Sequence, residues 1–421
     1  MPKSERIISL VAASALVTAV LLTACEKSAP RFECKDSIGC VSVAPGEPLK
    51  IGVLQALSGR VAPLGFEQIR GIELAIDKHR DKVLGHPILL QTEDTGCTEE
   101  GGANAALKII ADPQVVAILG TTCSGAAVTA SKAMSDAGLT MISGNNSAPF
   151  LTAVAGKKAP HWQPGYFRTA PNEEASGKAA AIYAFHELGV RNAATINDGD
   201  IYTRGLTDGF VQAFEKLGGK IVLSTSVDKG DKEMQPVLTA VMNSDAQLLF
   251  FPLFQPEGNH ILRQARKTAG FEKIILMSDG ALIENSFIED VQGDGIGMYF
   301  VGPAPPTGPA IEKLARDYKA RYDVSPAASY YQNAYDAADL LLKTIEAIAV
   351  QDPDGSLHMG RQALRDALYA TREFQGVTGL LSCDAFGDCA LPVFNVLRLN
   401  DPTAGLEGLQ SNVMFTYSPE K

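Results

Sequence analysis

From residue 49 onward, apolar runs of strand length alternate with amphipathic stretches of helix length, the pattern of an α/β fold built on parallel sheets. Strands are expected at 50–54, 88–91, 115–119 and 140–143, with helices at 65–80, 101–111 and 125–137. The alternation then restarts. Strands at 193–196, 220–225, 248–251 and 274–277 are separated by helices at 203–217, 234–242 and 259–269. Two successive series imply two lobes of repeated architecture, without a detectable sequence repeat. Helices at 309–322, 331–350 and 360–370 follow, and the turn 384–388 is expected to join strands 378–383 and 389–399 into a late hairpin.

The first residues follow another pattern. Lys3 and Arg6 lead into an apolar run, 7–22, which at about 16 residues is short for a membrane span and reads as a signal peptide. Leu22-Thr23-Ala24-Cys25 resembles the lipobox of bacterial lipoproteins, which implies loss of residues 1–24 and diacylation of Cys25. An ordinary secretory signal with an incidental cysteine is the alternative, and both readings export the protein. Residues 25–48 mix prolines, glycines and charges without periodicity and read as a lipidated tether.

Export permits disulfides, and the remaining six of the seven cysteines fall in close pairs: Cys34 with Cys40, Cys97 with Cys123, and Cys383 with Cys389. By loop entropy the middle pair would stabilise by roughly 3.5 kcal/mol and each short pair by roughly 2 kcal/mol. Zinc is the competing reading, but the spacings lack the CxxC and HxxxH clustering of zinc sites. No metal is expected.

The formal charge of −11 becomes about −12 once the signal segment is removed, and no basic stripe interrupts it. Nucleic acid and anionic lipid headgroups are therefore not expected partners. After Cys25 no apolar run approaches spanning length, so the body should be soluble and membrane-held only through its lipid. Enzyme signatures are missing too. Ser124 lies outside any GxSxG, none of the six histidines has a motif pairing it to that serine, and neither GxGxxG nor GxxxxGK[ST] occurs. No enzyme activity and no cofactor are expected.

Several separated motifs coincide with one family: Ile51-Gly52-Val53 through Leu57-Ser58-Gly59, Glu93 to Cys97, Gly120 to Ser124, Met141-Ile142-Ser143 and Ile261 to Arg266. The chain resembles the leucine/isoleucine/valine-binding proteins, the type I periplasmic solute-binding proteins of ABC transporters. The resemblance implies an α/β fold of two Rossmann-like lobes with central parallel sheets, joined by a three-strand hinge, and a ligand held in the cleft. It places the crossings near 169–171, 302–304 and 376–379. Residues 49–170 and 304–376 would then form lobe 1, and 171–303 and 377–421 lobe 2. The 97–123 spacing matches the family's own disulfide. The implied function is capture of a branched-chain or related amino acid by domain closure and delivery to a permease and ATPase, with the protein a monomer. A ligand sensor of the same fold, for amides or aromatic acids, and a structural surface lipoprotein are the alternatives.

Ser124 follows a strand and opens a helix, where unpaired N–H groups favour a carboxylate; a plain serine cap is the bland alternative. It matches the family's carboxylate-binding serine. Asn145 and Ser147 match a loop that supplies a carbonyl and a hydroxyl to the ligand, although Asn145 and Asn146 stand where the family often has two alanines. Asp279 aligns with the acid that receives the ligand's ammonium, often a glutamate. Tyr202 and Phe254 match aromatic cleft walls, Leu64 stands where some relatives carry tyrosine, and Asn146 and Tyr330 are further ligand-binding candidates.

Overall fold

The computed structural model describes residues 32–326 and 328–418. The expected signal segment, the lipidation site Cys25 and the first residues of the tether lie outside the described residues.

Two sheets organise the chain. The first runs in the order Lys82–Val83, His86–Asp94, Leu49–Gln55, Val115–Gly120, Met141–Ser143 and Tyr166–Arg168, all parallel except the short first strand. Its centre is Val-Val-Ala-Ile-Leu-Gly, buried at every residue, because helices cover both faces of a parallel sheet. Helices Ala62–Lys78 and Tyr330–Ile348 close one face around Ile51, Val53 and Leu341. Helices Glu99–Ile110 and Ser124–Asp136 close the other.

The second sheet runs in the order Lys220–Ser226, Asn192–Asn197, Leu248–Phe250, Ile275–Asp279 and Tyr299–Pro303, all parallel, and then Phe394–Arg398 and Val413–Tyr417, which are antiparallel additions. Phe250, Phe210 and Val301 of this lobe share a buried cluster with Leu54, Ala127 and Met134 of the first. The two lobes are thus packed together along the faces that flank the cleft.

Two boundaries differ from expectation. The tether was expected to extend to residue 48, but Cys40–Val43 is a strand antiparallel to Leu357–Gly360, and Val41 and Val43 are buried in the first lobe's core. Its two inward valines are enough to anchor it, despite Pro45 and Gly46 just beyond.

The third crossing lies later than 376–379. Leu381, Cys383 and Cys389 belong to the first lobe's core, and the Cys389 N–H donates to the Arg168 carbonyl (3.0 Å) while the Arg168 N–H donates to the Gly387 carbonyl (2.9 Å). Residues 387–389 therefore sit against the first sheet's edge at Arg168, and the chain crosses between Cys389 and the strand Phe394–Arg398, where the Ala304 N–H donates to Val393 O at 2.9 Å. For the same reason the expected hairpin forms only at its tip. Leu380–Leu381 pairs instead with Phe374–Gln375, and Phe394–Arg398 joins the other lobe. All three disulfides, Cys34–Cys40, Cys97–Cys123 and Cys383–Cys389, are formed.

Candidate functional site

The first-lobe wall of the cleft is built at the carboxyl end of Val115–Gly120. Gly120 has φ +141°, and a Cβ there would lie 2.1 Å from the Leu54 carbonyl, so only glycine lets the strand end turn this close to its neighbour. Thr122 is buried in the turn, its hydroxyl donating to Gln55 Oε1 (2.7 Å) and accepting from the Ala56 N–H (2.9 Å). Cys123, tied to Cys97, then caps the helix that begins at Ser124, and among the described residues no side chain caps that helix's terminal N–H groups. Ser124 is thus the first helical residue and not the cap. Its Oγ accepts from the Ala148 N–H at 3.3 Å.

The loop after Met141–Ser143 supplies the next residues. Asn145 Nδ2 donates to the Thr122 carbonyl (2.8 Å), and Ser147 faces the cavity at 5 % exposure. Asn146 does not. Its Oδ1 accepts from the Thr121 N–H (3.1 Å) and from the hydroxyls of Thr121 (3.2 Å) and Tyr166 (3.1 Å), so its amide holds the loop from below. Asn146 is 1 % exposed and does not line the cavity, and its Nδ2 has no hydrogen-bond partner among the described residues. Arg168 is fully buried beneath the same loop. It donates to the carbonyls of Asn146 (3.3 Å) and Ala148 (2.8 Å) and pairs with Asp388.

The second lobe contributes an aromatic and acidic wall. Tyr202, in the first turn of Ile201–Lys216, lies 5.2 Å from Phe254 between ring centroids and donates its hydroxyl to Asp279. Asp279, at the end of Ile275–Asp279, has no exposed surface. Burial pushes it up to about 6, while hydrogen bonds from Tyr202 and the Ala281 N–H (3.2 Å) act the other way. Leu64, Thr122, Ser124, Asn145, Ser147, Tyr202, Phe254, Ala281 and Tyr330 together line one interlobe cavity, about 290 Å³ of free space including its open mouth. Asp279 sits directly behind Tyr202 and Ala281.

Sequence reasoning missed the most unusual side chain of the site. Glu173, just past the first crossing, is 1 % exposed, and neither carboxylate oxygen has a hydrogen-bond partner among the described residues. Burial, and then the charge of Asp279, push it up to about 8; the hydroxyls of Tyr202 and Ser147 face it without completing a hydrogen bond of normal geometry. Its neighbour Glu174 is half-buried and accepts from the Ala155 N–H at 2.9 Å. Nothing in Pro171-Asn172-Glu173-Glu174 separates the two acids. Glu67 and Glu284 were also missed. Both are buried and raised by burial, Glu284 to about 7, and both add to the negative field at the Tyr330 hydroxyl along with Glu173 and Asp279.

Residues 48–388 match the family model for periplasmic binding proteins. The chain belongs to the periplasmic binding protein family. A relative named Leu/Ile/Val-binding protein homolog 3, from Brucella melitensis, is 26% identical over 376 residues, covering 88% of this chain and 96% of its own. Among solved structures, a leucine-binding protein from Thermotoga maritima superposes with TM-score 0.74 at 23% identity, covering 88% of this chain and 99% of its own. An ABC-transporter solute-binding protein from R. palustris, crystallised with benzoate, gives 0.71 at 22% identity, with 84% and 93% covered. Within the periplasmic binding protein family the two parallel sheets and the cleft between them are accounted for. The family also places the protein on the extracytoplasmic side.

Proposed function

We propose that this protein is the solute-binding component of an ABC importer and that it captures a zwitterionic α-amino acid between Ser124, Asn145, Ser147, Tyr202 and Asp279. One observation carries the reading: a helix start with free N–H groups opens on an interlobe cavity whose opposite wall, Tyr202 and Ala281, hydrogen-bonds a buried carboxylate, Asp279. The first suits the ligand's carboxylate and the second its ammonium, and a low-dielectric cleft strengthens both. Tyr202, Phe254, Leu64 and Tyr330 would cover the aliphatic part. Three crossing segments let the lobes open and close, so capture by closure and delivery to a permease and ATPase follow naturally. Cys25 would hold the protein at the membrane through its lipid, and Cys97–Cys123 would brace the helix start that receives the carboxylate.

Isothermal calorimetry against the twenty amino acids, with Asp279→Ala as control, tests this. One or a few amino acids should bind, and Asp279→Ala should weaken them roughly 10- to 100-fold, the value of a charge-assisted hydrogen bond. Absence of heat from every amino acid, or unchanged affinity in the variant, would defeat the reading.

A further inference from the structure

Glu173 has a burial that its surroundings do not explain. A carboxylate taken from water without partners is among the costlier things a fold can contain, and native structures rarely retain one unless something else uses it. Arg168, the nearest buried cation, is already committed to Asp388, two carbonyls and the Thr152 hydroxyl. The groups facing Glu173 come from every element around it: Ser147 from the ligand loop, Tyr202 from its helix, Asp279 from its strand, Tyr330 from the long first-lobe helix, and Arg168 from the first sheet. Three of these, Ser147, Tyr202 and Tyr330, line the cavity. Glu173 is therefore an unpartnered acceptor beside Asp279, enclosed by side chains that line the cavity.

We infer that Glu173 is a second anionic acceptor for the ligand's ammonium, and that binding of that ammonium expels a proton from Glu173. The inference rests on the amino-acid reading above and adds to it a selection rule: the site takes compounds that carry an ammonium and rejects simple carboxylic acids. A carboxylic acid without an amine, such as benzoate, leaves both Glu173 and Asp279 uncompensated.

The linkage has a definite sign. Below about pH 8 the free protein holds Glu173 protonated, and the bound ammonium favours the ionised form. Affinity should therefore rise with pH between about 6 and 8, by at most about tenfold per unit, and level off above. Asp279 is already ionised over most of this window. Glu284 titrates inside it, but its carboxylate has Gln255 and Ser286 as partners, so a substitution at Glu173 separates the two.

The experiment is calorimetry with the twenty amino acids and benzoate at pH 6, 7 and 8, each in two buffers of different ionisation enthalpy, on the native protein and Glu173→Gln. Expected are an amino acid that binds the native protein with proton release and a rising pH profile, and a variant in which both are lost and affinity at pH 8 falls at least about tenfold. If an amino acid binds but Glu173→Gln keeps the native affinity and slope, this inference is overturned while the amino-acid reading stands. If benzoate binds and no amino acid does, both fall. Should the variant not fold, the native protein alone decides: binding without buffer-dependent heat overturns the inference.

Discussion

Asp339 and Glu173 are both about 1 % exposed, and the fold treats them in opposite ways. Asp339 lies in the first lobe with Lys78 Nζ and His79 Nε2 each at 2.9 Å and Lys343 Nζ at 3.1 Å. Burial would raise it, but the His79 and Lys78 hydrogen bonds and the lysine charges prevail and hold it down at about 2. Glu173 has the same burial and no partner, and it rises to about 8. An acid that braces a fold brings its cations from its own chain. An acid that recognises a cation is left without one, and the cost is carried until the ligand arrives.

The largest loss of stability should come from removing the satisfied acid. Asp339→Ala leaves His79 without its acceptor beside a buried void and frees Lys78 and Lys343 to solvent, and it should cost about 3 kcal/mol in denaturant unfolding at pH 7, with ligand affinity unchanged. Because Asp339 is depressed, its stabilisation is present above the unfolded carboxylate range near pH 4 and is lost as pH falls toward 2. The variant should therefore show a shallower acid transition than the native protein. A cost below about 1 kcal/mol would mean that Asp339 is no more than a surface pair, and the contrast with Glu173 would collapse.

Removing the unsatisfied acid should do the reverse. Glu173 is raised, so its contribution favours folding below about pH 4.5 and is withdrawn as pH climbs through about 8. Glu173→Gln should stabilise the ligand-free protein by roughly 4 kcal/mol at pH 8, and by almost nothing at pH 4.5. Thermal melts at the two pH values check it. A variant less stable than the native protein at pH 8 would show that Glu173 is a structural acid after all.

The same contrast explains what could be read from the sequence. Fully apolar strands such as Val115–Gly120 announce themselves, because a sheet covered on both faces leaves no polar position to confuse the period. Ser124, Tyr202 and Asp279 were legible through motif position, since each stands at a strand end or in a first helical turn. Asn145 and Asn146 are adjacent and alike in sequence, yet one lines the cavity and the other is buried beneath it. That choice depends on loop conformation, not on residue type. Glu173 and Glu174 pose the same problem, because only the docking of the first crossing against Ser147 decides which of them is enclosed. The strand at Cys40–Val43 was hidden for another reason: two valines are too short a period to stand out beside Pro45 and Gly46.

The smallest test asks how Asp339's stabilisation is divided among its partners. Lys343 lies one helical turn beyond Asp339, with its side chain 43% exposed, and water competes for its ammonium. Lys343→Ala should therefore cost only about 0.5 kcal/mol, the usual value of an exposed i,i+4 pair, and the cost should shrink in roughly 1 M salt. Lys78 is as exposed as Lys343, so neither lysine can carry the site alone, and His79, with a side chain only 12% exposed, should be the dominant partner. A double-mutant cycle between Asp339 and Lys343 measures this share directly. A coupling of 2 kcal/mol or more would place the stabilisation in the lysine, and Asp339 would then be a one-partner acid whose difference from Glu173 rests on a single removable charge.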